Sequence, residues 1–306
     1  MSTVLNLPSG MTLANVKGAI GHSRTDQYQA KCLSKVILYL PDSADFYAQV
    51  TVKARFMTTR AATISEIVTS DYRAARVLEA YGIDFCFSGD KTLKEVSEEL
   101  HLNNAALEKS VEDLKVQPNG CPVHWKFTEW ETRFLVDYII QTHHNYMRRS
   151  IPELLRLGHN VSTMASDDFP ETKEINRLVI EIAGRARQHL TSEEYALFPY
   201  ILEMEMVRDS KLPFNASKFG GVETPIHTIE SEHKVCIGLL KSIRSLSNKY
   251  IAPDSASNDH RYWYQLLQEF DADTHLHIHL EDNILFPRAL ALENDLIHRM
   301  ESTSSA

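Results

Sequence analysis

His189-Leu-Thr-Ser-Glu193-Glu194-Tyr-Ala-Leu197-Phe198-Pro199 returns 88 residues later as His277-Ile-His-Leu-Glu281-Asp282-Asn-Ile-Leu285-Phe286-Pro287. Both copies read His-x-x-x-Glu, then a second acid, then Leu-Phe-Pro. In an α-helix, residues i and i+4 share a face one turn apart. Each copy therefore presents an imidazole and a carboxylate in one direction. Two further histidines keep the same frame: His144 precedes His189 by 45 residues and His233 precedes His277 by 44. This is the arithmetic of a duplicated helical hairpin. The first helix carries His144, the second His189 and Glu193, the third His233, and the fourth His277 and Glu281.

The surrounding sequence supplies those helices. Thr128-Glu-Trp-Glu131 reads as a capping box opening the first, with Phe134, Leu135, Tyr138, Ile139 and Ile151 as its core stripe and Gly158 as the start of a loop. Asp168-Phe-Pro-Glu171 opens the second and Thr224-Pro225 the third, each with proline in the first turn. The fourth is expected over about 259–293. Pro199 and Pro287 should break or kink their helices, so the two Leu-Phe-Pro strings read as core packing plus a helix stop. Long helices joined by short loops predict an all-α fold, an up-down-up-down four-helix bundle.

Upstream, residues 57–117 read as a small three-helix domain. Thr63-Ile-Ser-Glu66 and Thr92-Leu-Lys-Glu95 are capping boxes, Gly82 ends the first helix, and a third runs from Ala105 to Leu114. About 55 residues make a small core, so docking or homodimer formation would stabilise it. Residues 118–127 form a Pro- and Gly-containing linker, 128–298 the bundle and 299–306 a tail. Residues 1–56 lack sustained helical period and read as a poorly ordered or non-native extension.

Composition narrows the function classes. A formal charge of −9 does not favour a nucleic-acid binder. No run of 18 apolar residues marks a membrane span. Cys32, Cys86, Cys121 and Cys236 are scattered; they form no Cys-x-x-Cys zinc site and no secreted disulfide framework. A reducing, cytoplasmic setting follows.

The chain has 14 histidines, and the repeat selects four. His143 and His144 are adjacent, so an α-helix turns only one inward, and the spacing picks His144. His275 and His279 flank His277 at about 200° around the helix, from the 100° step per residue, and are expected outside the site. His22, His101, His124, His159, His260 and His298 fall in loops, ends or surface. His227, one and a half turns before His233, is a candidate outer-shell group. Glu194, Glu232 and Asp282, beside ligands, are candidates to orient imidazoles or relay protons. Two glutamates can bridge two cations while four imidazoles complete the ends. That mixed donor set favours iron or zinc over magnesium or calcium, with coordination positions left open for small molecules.

These residues together resemble the iron–sulfur cluster repair (RIC) proteins, which carry a hemerythrin-like di-iron bundle behind a small N-terminal domain. The likeness covers about residues 63–293. It rests on Glu230-Ser-Glu-His233, His189-x-x-x-Glu-Glu, His277-x-x-x-Glu-x-Asn-x-Leu-Phe-Pro-Arg288-Ala and Tyr81-Gly-Ile-Asp-Phe-Cys86. The resemblance implies two iron ions, preferred over zinc, on His144, His189, Glu193, His233, His277 and Glu281. It implies repair of iron–sulfur clusters damaged by nitric oxide or peroxide, by supplying iron, with the damaged iron–sulfur proteins as partners. Two alternatives share the ligand set. One is reduction of nitric oxide or peroxide, with electrons from a partner donor. The other is a hemerythrin-like oxygen carrier or sensor. One departure stands out: the family's N-terminal motif has a cysteine pair, and here Cys86 is followed by Phe87. Cys86 alone is a candidate thiol, with no vicinal partner.

Overall fold

The computed structural model describes residues 62–86, 88–114, 127–164, 168–210, 214 and 220–304. The extension at 1–56 and all of the linker but Phe127 lie outside the described residues.

The N-terminal module holds four short helices: α1 (Ile64–Ser70), α2 (Arg73–Ala80), α3 (Leu93–Glu99) and α4 (Asn104–Asp113). Both capping boxes form, with Thr63 and Thr92 each accepting from the backbone of the glutamate three residues on. Gly82 ends α2 with a φ of +78°, a conformation open to glycine. The expected first helix is interrupted at Asp71, which is extended and whose carboxylate takes the Arg73 N–H. The break sends Tyr72 into the bundle, where its ring meets Phe127 and His279.

Each expected bundle helix is present, but three contain a π-helical turn. The first is α5 (Thr132–Tyr138), a π turn (Ile139–His144) and α6 (Asn145–Met164). The second is α7 (Glu171–Ser192), a π turn (Glu193–Leu197) and α8 (Phe198–Ser210). The third, α9 (Glu223–Leu246), is uninterrupted. The fourth is α10 (Asn258–Leu280), a π turn (Glu281–Leu285) and α11 (Phe286–Ser304). Their diagnostic i→i−5 bonds are Asn145 N–H to Ile140, Phe198 N–H to Glu193 and Phe286 N–H to Glu281.

Topology follows from two apolar clusters. One contains Leu135 and Ile139 of the first helix, Ile201 and Met204 of the second, Ile226 of the third and Phe286 of the fourth. The other contains Leu154, Leu178, Leu240 and Phe270 from the same four helices. The first cluster comes early in the first and third helices and late in the second and fourth. The helices therefore alternate in direction. Between the clusters every helix contributes polar residues to one buried layer.

Three expectations are corrected. Thr128 does not cap: residues 127–129 form a 3₁₀ turn whose carbonyls, with that of Trp130, accept from Arg288, and the helix starts at Thr132. Gly158 opens no loop but lies within α6, where a β-carbon would stand 2.5 Å from Asn176 Oδ1 and 3.0 Å from Trp263 Cζ2. It is a close-approach glycine. Pro199 and Pro287 do not stop their helices. Proline clashes with the carbonyl four residues back in an α-helix, and each of these follows a π turn, whose extra residue moves that carbonyl away. The packing half of that reading stands, since Leu197, Phe198, Leu285 and Phe286 are buried.

Gly158→Ala should lower stability by about 1–3 kcal/mol, because the fully buried Trp263 has no room to move. Gly238→Ala, with nothing within 4 Å of its β-carbon, should raise it by about 0.5–1 kcal/mol. Denaturant unfolding of the two variants checks the pair; equal effects would contradict the packing assigned to Gly158.

Candidate metal centre

The polar layer holds two overlapping donor sets. His144, Glu193, His277 and Glu281 have ligand atoms all within 4.8 Å of one another, and so do His189, Glu193, His233 and Glu281. The glutamates belong to both sets and each set has its own pair of imidazoles. His144 Nε2 lies 3.2 Å from His277 Nε2, and His189 Nε2 lies 3.2 Å from His233 Nε2. Two nitrogens each about 2.0–2.1 Å from one cation would be separated by about 3 Å. Glu281 turns one oxygen to each set, Oε1 to His277 at 2.8 Å and Oε2 to His233 at 3.3 Å. Glu193 Oε2 lies 3.4 Å from His144 Nε2 and 3.5 Å from His189 Nε2.

The electrostatics fit a pair of cations. Glu193 and Glu281 are both 0% exposed, and neither oxygen of Glu193 has a hydrogen-bond partner. An ionised carboxylate there costs several kcal/mol unless positive charge faces it. Burial and the Glu281 charge push Glu193 well above the usual carboxylate range. Glu281 is held well below it, against burial, by His277, His144 and His233. Burial drives His277 down to about 3. His233 goes the other way against burial, raised by Asp282 and Glu281.

Three of the four imidazoles are held from behind through Nδ1. Glu194 takes His144 at 2.7 Å, Glu232 takes His189 at 2.8 Å and Asp282 takes His233 at 2.8 Å. Outer carboxylates of this kind fix the tautomer and aim Nε2. Glu194 is itself drawn down to about 2 by His144, against burial, with help from Arg148. The acid after the inward glutamate is thus the orienting group in both halves. It crosses to the single histidine of the preceding helix. His277 Nδ1 is buried without a partner; the His143 ring stacks on His277 at 5.9 Å.

His143 corrects the one-inward argument. Its exposure is 1% and that of His144 is 0%, because the pair closes a π turn, where the 100° step does not apply. His143 Nδ1 reaches Asp273 at 3.0 Å. His227 is not brought to the cluster: it is exposed and bonds Glu230. His260, expected at the surface, is fully buried against Tyr264 and Phe169. His275 and His279 are also buried, on the side of α10 that faces the N-terminal module. Their rings meet Phe85, and His279 also meets Tyr72. Cys86 lies at that seam rather than at the cluster, its thiol donating to the His275 carbonyl. Burial, reinforced by Asp84, pushes that thiol up.

Behind the second set is a small cavity of about 40 Å³, lined by His189, Glu232, His233, Cys236, Thr274 and His277 among others. It could admit a diatomic ligand. Among the described residues no helix is long and apolar enough to cross a membrane.

Fold and site together define a metal-binding four-helix bundle protein. A family model described as the hemerythrin HHE cation binding domain matches residues 135–289. A second, ScdA_N, described as a domain of unknown function, matches residues 60–115. The iron–sulfur cluster repair protein YtfE of Pectobacterium atrosepticum is 30% identical over 237 residues, 76% of this chain and 99% of that protein. A probable iron–sulfur cluster repair protein of Haemophilus influenzae is 30% identical over 231 residues, covering 74% and 96%. The YtfE protein of Yersinia pseudotuberculosis is 29% identical over 221 residues, covering 71% and 91%. The chain belongs to this iron–sulfur cluster repair family, whose bundle is hemerythrin-like.

Replacing Asp282 by Ala frees His233 Nδ1 and should weaken metal binding about 10- to 100-fold. A competition titration against a chelator checks it. Unchanged affinity would mean that the acid does not orient the imidazole.

Proposed function

We propose that this protein repairs iron–sulfur clusters damaged by nitrosative or oxidative stress, and that it does so by supplying ferrous iron from a di-iron centre. His144 and His277 would hold one ion, His189 and His233 the other, and Glu193 and Glu281 would bridge them. The carrying observation is the buried Glu193 carboxylate, without a hydrogen bond, between two imidazole pairs. The family relationship to proteins named for cluster repair supplies the target class. The donor set favours release: two carboxylates neutralise only half the charge of two divalent ions, and the remaining ligands are neutral imidazoles. Such a centre holds ferrous iron less tightly than a cage of carboxylates. Iron is the cargo here, and the residues' work is to bind it, screen it from water between two apolar clusters, and let it go. The setting proposed is the cytoplasm, which suits the free thiols Cys86 and Cys236.

A second reading is supported by the cavity against His189, His233 and His277. A bound iron pair supplies redox chemistry, and this space would admit nitric oxide, oxygen or peroxide to it. Sustained turnover with an electron donor distinguishes this reading from cargo delivery.

Iron-loaded protein incubated without oxygen beside an apo iron–sulfur protein should restore the partner's cluster absorption, and Glu193→Ala/Glu281→Ala should not. Absence of transfer from the loaded wild type would overturn the supply reading. Uptake should also depend on pH. Glu193 and His233 are both raised above their usual ranges, so both must shed protons when metal enters. Affinity therefore falls as pH is lowered, and proton release on metal addition to weakly buffered apo protein measures it.

A further inference from the structure

The seam between the N-terminal module and the fourth bundle helix brings together three donors outside the dinuclear cluster. Asp84, Cys86 and His275 have ligand atoms all within 4.8 Å of one another. Asp84 Oδ2 lies 3.3 Å from His275 Nε2. Its other oxygen, Oδ1, accepts the Cys86 backbone N–H at 3.1 Å, which fixes the turn and keeps thiol and carboxylate on one side. We infer that Asp84, Cys86 and His275 form a third, mononuclear site for a borderline-soft divalent cation such as ferrous iron or zinc.

Three observations carry it. The first is donor chemistry: thiolate, imidazole and carboxylate together suit zinc or iron rather than magnesium or calcium. Donors on one tetrahedral ion stand about 3.3–3.8 Å apart from bond lengths near 2.0–2.3 Å. The Asp84–His275 distance already meets that.

The second is orientation. His275 Nδ1 donates to the Asp271 carbonyl at 2.8 Å and has the Asp271 carboxylate 3.0 Å away. Asp271 is in turn gripped by Arg244 at 2.7 Å and by the Tyr250 hydroxyl at 2.6 Å. The turn that presents Tyr250 places Asn248, Lys249 and Tyr250 all at positive φ. His275 is therefore held through Nδ1 with Nε2 aimed at the seam, the device already used on His144, His189 and His233.

The third is charge. Asp84, Asp282, Glu79 and Asp271 all act on Cys86 as negative neighbours; the positive partners at the seam are Arg244 on Asp271 and His275 on Asp84 and Asp271, and a bound cation would take the place of the His275 proton beside Asp84. On entry, the ion displaces two protons, that of the thiol and the Nε2 proton of His275 that now faces the Asp84 carboxylate, and the freed sulfur and nitrogen lone pairs become the metal bonds. A fourth coordination position is left for water or an exchanging ligand. Cys86 has no adjacent second cysteine, and His275 and Asp84 complete a donor set without one.

The test is cobalt(II) added to the metal-free full chain. The expected result is a third equivalent with thiolate-to-cobalt charge-transfer absorption and intense tetrahedral ligand-field bands. Cys86→Ser should abolish the charge-transfer band, and Asp84→Asn should weaken the third equivalent at least tenfold. Cys236→Ser should leave it intact. In Glu193→Ala/Glu281→Ala the first two equivalents should be lost and the thiolate band kept, so this site stands or falls separately from the dinuclear reading. No thiolate band in the wild type, or one that survives Cys86→Ser, overturns the inference.

Discussion

Glu193 and Glu281 lie side by side in the middle of the bundle, both removed from water, and the rest of the architecture answers to that constraint. Ionised carboxylates in such a place demand facing positive charge. Four imidazoles converge on them, one from each helix. The outer acids Glu194, Glu232 and Asp282 then fix three of those imidazoles. Above and below, the two apolar clusters close the layer off from solvent. The hydrophobic effect holds the helices together. The polar layer decides their register, since a slip of one residue would turn a carboxylate into a clash with apolar side chains.

The π turns are how the chain meets that demand. All three lie at the level of the donor cluster: one ends in His143 and His144, the others begin at Glu193 and Glu281. An extra residue per turn lets consecutive side chains serve different purposes. Glu193 points inward while Glu194 crosses to His144; Glu281 points inward while Asp282 crosses to His233. The same widening lets Pro199 and Pro287 follow without ending the helix. Single-turn π bulges cost regular hydrogen bonding and recur at functional sites, and here each sits at residues of the buried donor cluster.

Much of this was legible in the residues. The four-helix bundle followed from the two His-x-x-x-Glu copies and their matched single histidines, because duplication leaves a spacing that chance does not. The capping boxes at Thr63 and Thr92 were legible because their partners lie three residues away. What sequence could not supply depended on contacts distant along the chain. Thr128 has the composition of a cap, but Arg288, 160 residues on, takes the carbonyls of its turn. Gly158 resembles a terminator until Asn176 and Trp263 are seen against it. The burial of both His143 and His144 was hidden because the argument assumed 3.6 residues per turn. His260 looked like surface because it opens a helix, yet aromatic rings cover it.

The seam between module and bundle shows the same economy. Tyr72, Phe85 and Cys86 lie against the back of α10, while the front of the fourth bundle helix carries His277 on α10 and Glu281 on the π turn after it. One helix thus serves the His/Glu donor layer on one face and the module on the other. The direct test of the central claim is metal content of protein purified without oxygen, compared between the wild type and Glu193→Ala/Glu281→Ala. The account predicts about two iron ions bound at the bundle site of the wild type, lost in the double variant with the helical fold retained. A wild type that folds with no metal in that layer, or a double variant that keeps both ions, would contradict it.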